Sequence, residues 1–334
     1  MIKVKKYNNI LGLLSSLFFI ALILYKLDFH QLLNTFKTFN YSVLLLFFPL
    51  YIFSLYIRGV RLKCLLCNCE SLTIKEAFLI FSAGNAFNIY FPARFGDFWR
   101  AYCLGEKLND AKVKVFGTIA LERILDGLSV LVILFVAIFS YFKQDWVLNI
   151  AYLGTSIFLT SLIILFLMLK FNKITFIFEK LSSIPFLTLL SPIFSAFSKV
   201  LTSFINGLEA MDSPKVFLKA FAISILVRIV ECFMAYLLII GFSQNLGFSV
   251  TLFIVSFSAL ATIIPSSSIF IGAYQYAYIL ALGIYHVDKA SALSIAFIYQ
   301  SITMIAVTLI AIIYFVTNKT AIPSYCITSK IVEE

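Results

Sequence analysis

The sequence predicts an all-α, polytopic integral membrane protein, and three observations predict it. Of the 334 residues 62% are apolar and only 13% charged, about half of the roughly 25% that a soluble domain carries. The mean hydropathy is +1.01. Charge-free runs recur along the chain, at 7–25, 38–57, 77–93, 127–142, 146–169, 232–287 and 290–318. A spanning helix needs about 20 apolar residues, so several runs cross once and the 56 residues of 232–287 can cross twice. The expected fold is a helical bundle of about six full spans plus two re-entrant or broken-helix segments. It forms a single membrane domain over 1–320, with a connection at 170–215 and a tail at 321–334.

The same composition excludes other classes. With 216–242 counted as apolar, no stretch between apolar runs exceeds about 45 residues, too short for a soluble catalytic domain of roughly 100 or more. With two histidines, His30 and His286, a His-ligated metal centre is not expected, and no cofactor is implied. The run 10–25 is followed by Lys26 and not by a small-residue cleavage site, so no removable signal is expected.

The net charge of +10 reads as a topology signal and not as nucleic-acid binding. Positive residues flanking spans stay in the cytoplasm. One assignment puts nineteen Lys and Arg inside, Arg58, Arg61, Arg94 and Arg100 among them, and leaves Lys26, Lys37, Lys143 and Lys289 outside. Both termini come out cytoplasmic, in a cytoplasmic (inner) membrane. For the cations on both sides of 77–91 to share a face, that run must dip in and return. Gly84, Asn85, Asn88 and Pro92 interrupt it, as a re-entrant hairpin or broken helix requires. An ordinary short span with inverted topology downstream is the alternative.

A second interruption falls at Pro265, Ser266, Ser267 and Ser268, 173 positions after Pro92. Its flanks are two spans with a tight turn, or two half-helices meeting in the bilayer. Paired, Pro-interrupted short segments in the two halves point to a transporter's binding site. In the cytoplasmic connection, Leu190, Phe194, Phe197, Leu201, Phe204, Leu208 and Met211 recur at steps of four and three, one stripe of an amphipathic helix. It lies on the membrane surface or packs under the bundle.

Ionisable groups within apolar runs are costly and mark function. Arg228 and Glu231, three apart in 216–242, can pair on one helix face. Glu122 and Asp126, four apart with Arg123 between them, present two acids to an arginine from another helix. Arg94 and Arg100 beside the first break are the candidates. Each set also has a structural reading: a pair that fixes helix rotation, an interfacial cluster at the headgroups, or, for Asn85 and Asn88, hydrogen bonds between helices. A chain that turns at Pro92 and restarts as a helix near Gly96 offers free N–H groups to an anion, with Arg94 and Arg100 as phosphate forks. The serines after Pro265 could cap the second half-helix. A lipid phosphate is the natural ligand. Cys64, Cys67 and Cys69 read as a reduced cluster without metal.

These residues resemble a known family, the transmembrane region of bacterial lysylphosphatidylglycerol synthases and their stand-alone, flippase-like relatives. The sequence Asn88-Ile-Tyr-Phe-Pro92-Ala-Arg94-Phe-Gly96-Asp97-Phe-Trp-Arg100 looks like its N-x-x-x-P-x-R-x-G-(D/E)-x-x-R. Arg58-Gly-Val-Arg61 resembles its paired arginines and Glu122-Arg123-Ile-Leu-Asp126 its E-R-x-x-D. The last motif departs: Ile269 stands where a Gly is usual before Gly272, and Gln275 where an acid is usual. The resemblance implies eight hydrophobic helices and a translocator of anionic or lipid-linked substrates, with no aminoacyl transfer, since that activity belongs to a separate soluble domain. Membrane lipids are the implied partners, with envelope-biosynthesis enzymes and a second copy of the chain as protein candidates. A glycosyltransferase using a polyprenyl donor, which would need catalytic acids at the outer face, and an envelope scaffold are the competing functions.

Overall fold

The computed structural model describes residues 21–25, 27–66, 71–91, 94–141, 145–170, 191–262 and 272–318. Among them there is no strand. The helices are α1 (Phe29–Thr38), α2 (Leu44–Leu65), α3 (Ile74–Tyr90), α4 (Phe95–Leu108), α5 (Lys112–Tyr141), α6 (Asp145–Lys170), α7 (Ser191–Asn206), α8 (Pro214–Gly241), α9 (Phe248–Ala261), α10 (Ala273–Gly283) and α11 (Lys289–Thr317). Four are long and apolar enough to cross a bilayer: α2 with its lead-in from Tyr41, α6 from Ala151, α8 and α11. The chain is a polytopic helical membrane protein. Both chain termini and the predicted tail lie outside the described residues.

Local chemistry sets the helix boundaries. Asp28 caps α1, its Oδ1 accepting from the N–H groups of His30 and Gln31 at 2.9 and 3.0 Å. Thr73 and Glu76 form a reciprocal capping box at the start of α3. Asp288 caps α11 by accepting from Ser291 N–H at 2.9 Å. Asn109, in the left-handed conformation at φ 51°, closes α4, a backbone region that Asn tolerates better than most residues.

α3 and α4 form a hairpin. Lys107 near the end of α4 meets Glu76 near the start of α3 at 2.6 Å, so both bases sit at one level. A Cβ on Gly84 would fall 2.3 Å from Arg100, eight positions on either side of residue 92. At 1.5 Å per residue α3 rises about 25 Å and α4 about 21 Å, short of the roughly 30 Å hydrocarbon core. The run 77–91, expected to dip in and return by itself, is instead unbroken helix through Gly84, Asn85 and Asn88, because helical hydrogen bonding continues across them; α4 makes the return, and Pro92 lies outside the described residues. α9 and α10 pack on each other in the same way, with Tyr278 hydrogen-bonded to Ser258.

The two halves repeat one another. α2–α3–α4–α5 runs long, short, short, long, and α8–α9–α10–α11 does the same. α2 and α8 are antiparallel: Asn40 N–H donates to Gly241 O at 2.9 Å at one end, and Leu65 shares a core with Ala220 at the other. α5 packs on α9 of the other half just as α11 packs on α3. This reciprocity is an inverted repeat about an axis in the membrane plane. The α3–α4 hairpin opens toward the end where α7 lies, and the α9–α10 hairpin toward the end where α1 lies.

The ends differ in charge. Lys63, Lys75, Lys107, Lys112, Lys114, Lys199 and Lys215 sit at the α7 end, Lys37 and Lys289 at the α1 end. By the positive-inside rule the α7 end is cytoplasmic. α7 packs beneath the bundle, its C-terminal end fixed where Thr118 Oγ1 donates to Gly207 O at 2.8 Å. Leu208 is fully buried there.

Candidate functional site

At mid-height the bundle holds a closed circuit of six alternating charges. Arg61 on α2 reaches both oxygens of Asp126, Nη1 to Oδ1 at 2.5 Å and Nη2 to Oδ2 at 3.2 Å. Its Nη2 is also 3.5 Å from Glu122. Glu122 accepts from both Nη atoms of Arg100 on α4, at 3.1 and 2.7 Å. Arg100 is 3.7 Å from Asp97, Asp97 accepts two bonds from Arg123, at 3.1 and 2.5 Å, and Arg123 is 3.8 Å from Asp126.

A second string leaves the circuit at Asp126. Arg228 on α8 lies 3.9 Å from it and donates to Glu231 at 2.6 Å, and Glu231 pairs in turn with Arg58 of α2. Arg58 and Glu231 are 173 positions apart, the same offset as the two proline breaks, so they occupy matching places in the two halves and pair across the pseudo-twofold axis.

Burial distinguishes this cluster from a solvent-facing one. Asp126 stands in the middle of the 30-residue α5 and Arg228 in the middle of the 28-residue α8. Arg61 and Glu122 are 0% exposed. Each carboxylate has at least two arginines within 4.0 Å. In a medium where an isolated charge is prohibitive, that mutual pairing is what permits ionisation. Phe81 lies beneath the guanidinium of Arg100, at 4.5 Å from its centroid, and adds cation–π stabilisation.

The sequence-predicted residues divide into three groups. Asp97, Arg100, Glu122, Arg123, Asp126, Arg228 and Glu231 join the network, and Asn88 donates to Asp97 at 3.0 Å. Gly96 is required by contact: a Cβ there would lie 1.8 Å from Gly84 O. Arg94, in the left-handed conformation at φ 52°, precedes α4 and is exposed; it makes no ion pair with the described residues. The expected pairing of Arg94 with the acids on α5 is thus not found, because Arg61 and Arg100 occupy them. Asp97 stands in the first turn of α4, where its carboxylate complements the helix dipole.

Gly272 and Gln275 lie elsewhere, at the α9–α10 hairpin. Gly272 has φ 104°, and its N–H donates to Gln275 Oε1 at 2.8 Å. Gln275 pairs with Gln300 of α11, so this amide ties two helices together. Pro92, Pro265, Ser266 and Ser268 lie outside the described residues, as do Cys67 and Cys69; Cys64 is half-buried near the end of α2.

Arg58 and Arg61 are network members that the charge count misplaced. With Arg100 they count in the sequence as inner-side topogenic cations, yet Arg61 is 0% and Arg100 1% exposed. The other inner cations still far outnumber the four outer ones. The available signal is helix continuity: no proline separates Ile57 from Leu65, so the arginines at 58 and 61 prolong the span.

Comparison with known proteins agrees with this architecture. No solved structure matches the chain. A UPF0104 membrane protein of Methanocaldococcus jannaschii is 27% identical over 237 residues, covering 70% of this chain and 94% of that protein. The model of the lysylphosphatidylglycerol synthase TM region matches residues 9–311, a span that contains the charge circuit and both hairpins. The chain belongs to that family.

Proposed function

We propose that the protein moves an anionic lipid, a phospholipid or a polyprenyl-phosphate-linked lipid, between the leaflets of the cytoplasmic membrane. The observation that carries this reading is Arg94. It is an exposed arginine at the tip of a membrane-embedded hairpin, beside a network whose five arginines already exceed its four acids. A lipid phosphate supplies the missing negative charge and accepts the planar fork of the guanidinium.

The circuit supplies a low-cost route for rearrangement. Because every acid touches two arginines, a guanidinium can change partner without a buried carboxylate ever standing alone. A phosphate passing Arg94 then competes with Asp97 for Arg123, whose side chain is 28% exposed. The inverted repeat supports alternating exposure of such a site to the two faces. The chain performs movement and no acyl or sugar transfer. Two of the three acids available at the outer face, Asp28 and Asp288, are engaged as helix caps, which favours transport over catalysis there.

Leaflet exchange in proteoliposomes tests the proposal, with fluorescent phosphatidylglycerol and a short-chain polyprenyl-phosphate sugar as substrates. Exchange of one class that is lost in Arg94→Ala establishes a translocator and its substrate. Undiminished exchange by that variant removes the assignment.

A further inference from the structure

A groove of about 520 Å³ lies between α4, the first turns of α5, and α7, within the roughly 300–1,000 Å³ of small-molecule sites. Its walls are Phe98 and Tyr102 from α4, Val113 and Phe116 from α5, and Val200 and Phe204 from α7. The Phe98 and Phe116 rings stack at 4.9 Å and make a flat apolar floor. Phe98 is 55% and Val200 50% exposed, so the groove opens on the side of the bundle and not into its core.

Three features say what fills it. The first is depth: Phe116 is four residues into α5, about 6 Å along its axis, which places the floor in the outer part of the cytoplasmic-side leaflet. The second is charge. Lys112 lines the mouth, its Nζ 4.0 Å from the Tyr102 ring centroid, and Lys199 is exposed immediately before Val200. The pair of Lys112 with Glu106 is solvent-exposed on both sides, a kind of contact that a competing anion displaces readily.

The third is the rigidity of the α7 wall. Phe204 O lies 2.3 Å from where a Gly117 Cβ would be, and Lys114 O 1.9 Å from a Gly207 Cβ, so backbone seats directly on backbone. α7 therefore cannot slide inward to close the groove.

We infer that this groove holds one acyl chain of an anionic phospholipid from the cytoplasmic-side leaflet, its phosphate at Lys112 and its chain along Phe98 and Phe116. Apolar lining with a basic mouth at the membrane surface is the complement of such a lipid. The groove leads onward: Arg123 lies seven residues after Phe116 on the same face of α5, and Arg94 immediately precedes α4, four positions before Phe98. The bound lipid is thereby stationed below the exposed arginine. Binding requires no translocation, so this inference stands or falls apart from the transport reading.

The test uses the full chain in phosphatidylcholine vesicles doped with either phosphatidylglycerol or phosphatidylcholine carrying a photoactivatable acyl chain, with labelled peptides mapped by mass spectrometry. Phosphatidylglycerol is expected to label the peptides of Phe98–Phe116 and Val200–Phe204 above the rest of the lipid-facing surface. Val200→Trp, at an exposed wall position, fills the groove and lowers that labelling about tenfold, the factor equivalent to 1.4 kcal/mol. Lys112→Gln brings phosphatidylglycerol labelling down to the phosphatidylcholine level. Equal labelling by the two lipids in the wild type, or labelling that Val200→Trp leaves unchanged, overturns the inference. So does replacement of lipid adducts by crosslinks from the groove to residues 171–190 or to a second copy. Thermal melting of each variant separates loss of the groove from loss of the fold, and Val113→Phe repeats the filling from the opposite wall.

Discussion

Glu122 and Arg94 mark two different uses of charge in one membrane-embedded site. Glu122 is 0% exposed and accepts from both Nη atoms of Arg100 while facing Arg61. Glu122→Gln leaves two buried guanidiniums short of a counter-charge and is expected to destabilise the protein by about 3–5 kcal/mol, read as a lowered melting midpoint in detergent. Arg94 makes no ion pair with the described residues, so Arg94→Ala is expected to change stability by less than about 0.5 kcal/mol while abolishing lipid exchange. A variant pair with the reverse pattern would exchange their roles.

The α3–α4 hairpin depends on glycine where its helices cross and on a charge pair at its base. Gly96→Ala drives a Cβ into Gly84 O, and backbone cannot step aside as a side chain can. The expected cost is about 1–3 kcal/mol, with loss of exchange because Arg94 and Asp97 flank the crossing. At the base, outside the spans, burial pulls the Glu76 carboxyl upward, but Lys107 and the Thr73 backbone and hydroxyl outweigh it and hold the group down at about 2. A depressed folded pKa gives stability that is present above the unfolded value of about 4.3 and lost as pH falls toward 2. Glu76→Gln is expected to flatten stability across that window, by under about 1 kcal/mol for so exposed a pair. Denaturation curves of both proteins from pH 5 down to the acid limit measure it.

The two halves meet along α2 and α8, and the Arg58–Glu231 pair lies on their pseudo-twofold axis. If the halves move against each other, that axis is where they stay in register. A double-mutant cycle on Arg58→Ala and Glu231→Ala is expected to return a coupling energy of about 0.5–3 kcal/mol, and both single variants to slow exchange without changing which lipid is moved. A coupling near zero would remove the axis as an energetic link between the repeats.

The membrane class, the chain reversal near residue 92 and the mid-helix position of Arg228 and Glu231 follow from the sequence alone. Each rests on a local signal: the length of an apolar run, a cluster of Gly, Asn and Pro within it, or a three-residue spacing. The partners of the acids do not follow. Arg61 finds Asp126 from 65 positions away, and Glu231 finds Arg58 from 173, because antiparallel helices bring them to one level. An arginine at the end of an apolar run reads the same whether it emerges into the cytoplasm or continues into the bundle. Only packing distinguishes the two, and it does so here by covering Arg61 with α5 and α8 and leaving Arg94 exposed. The inverted repeat was visible in outline as two proline breaks at a fixed offset. Its reciprocal packing, α5 on α9 and α11 on α3, is a property of the assembled bundle, since hydropathy records how apolar a helix is and not which helix it meets.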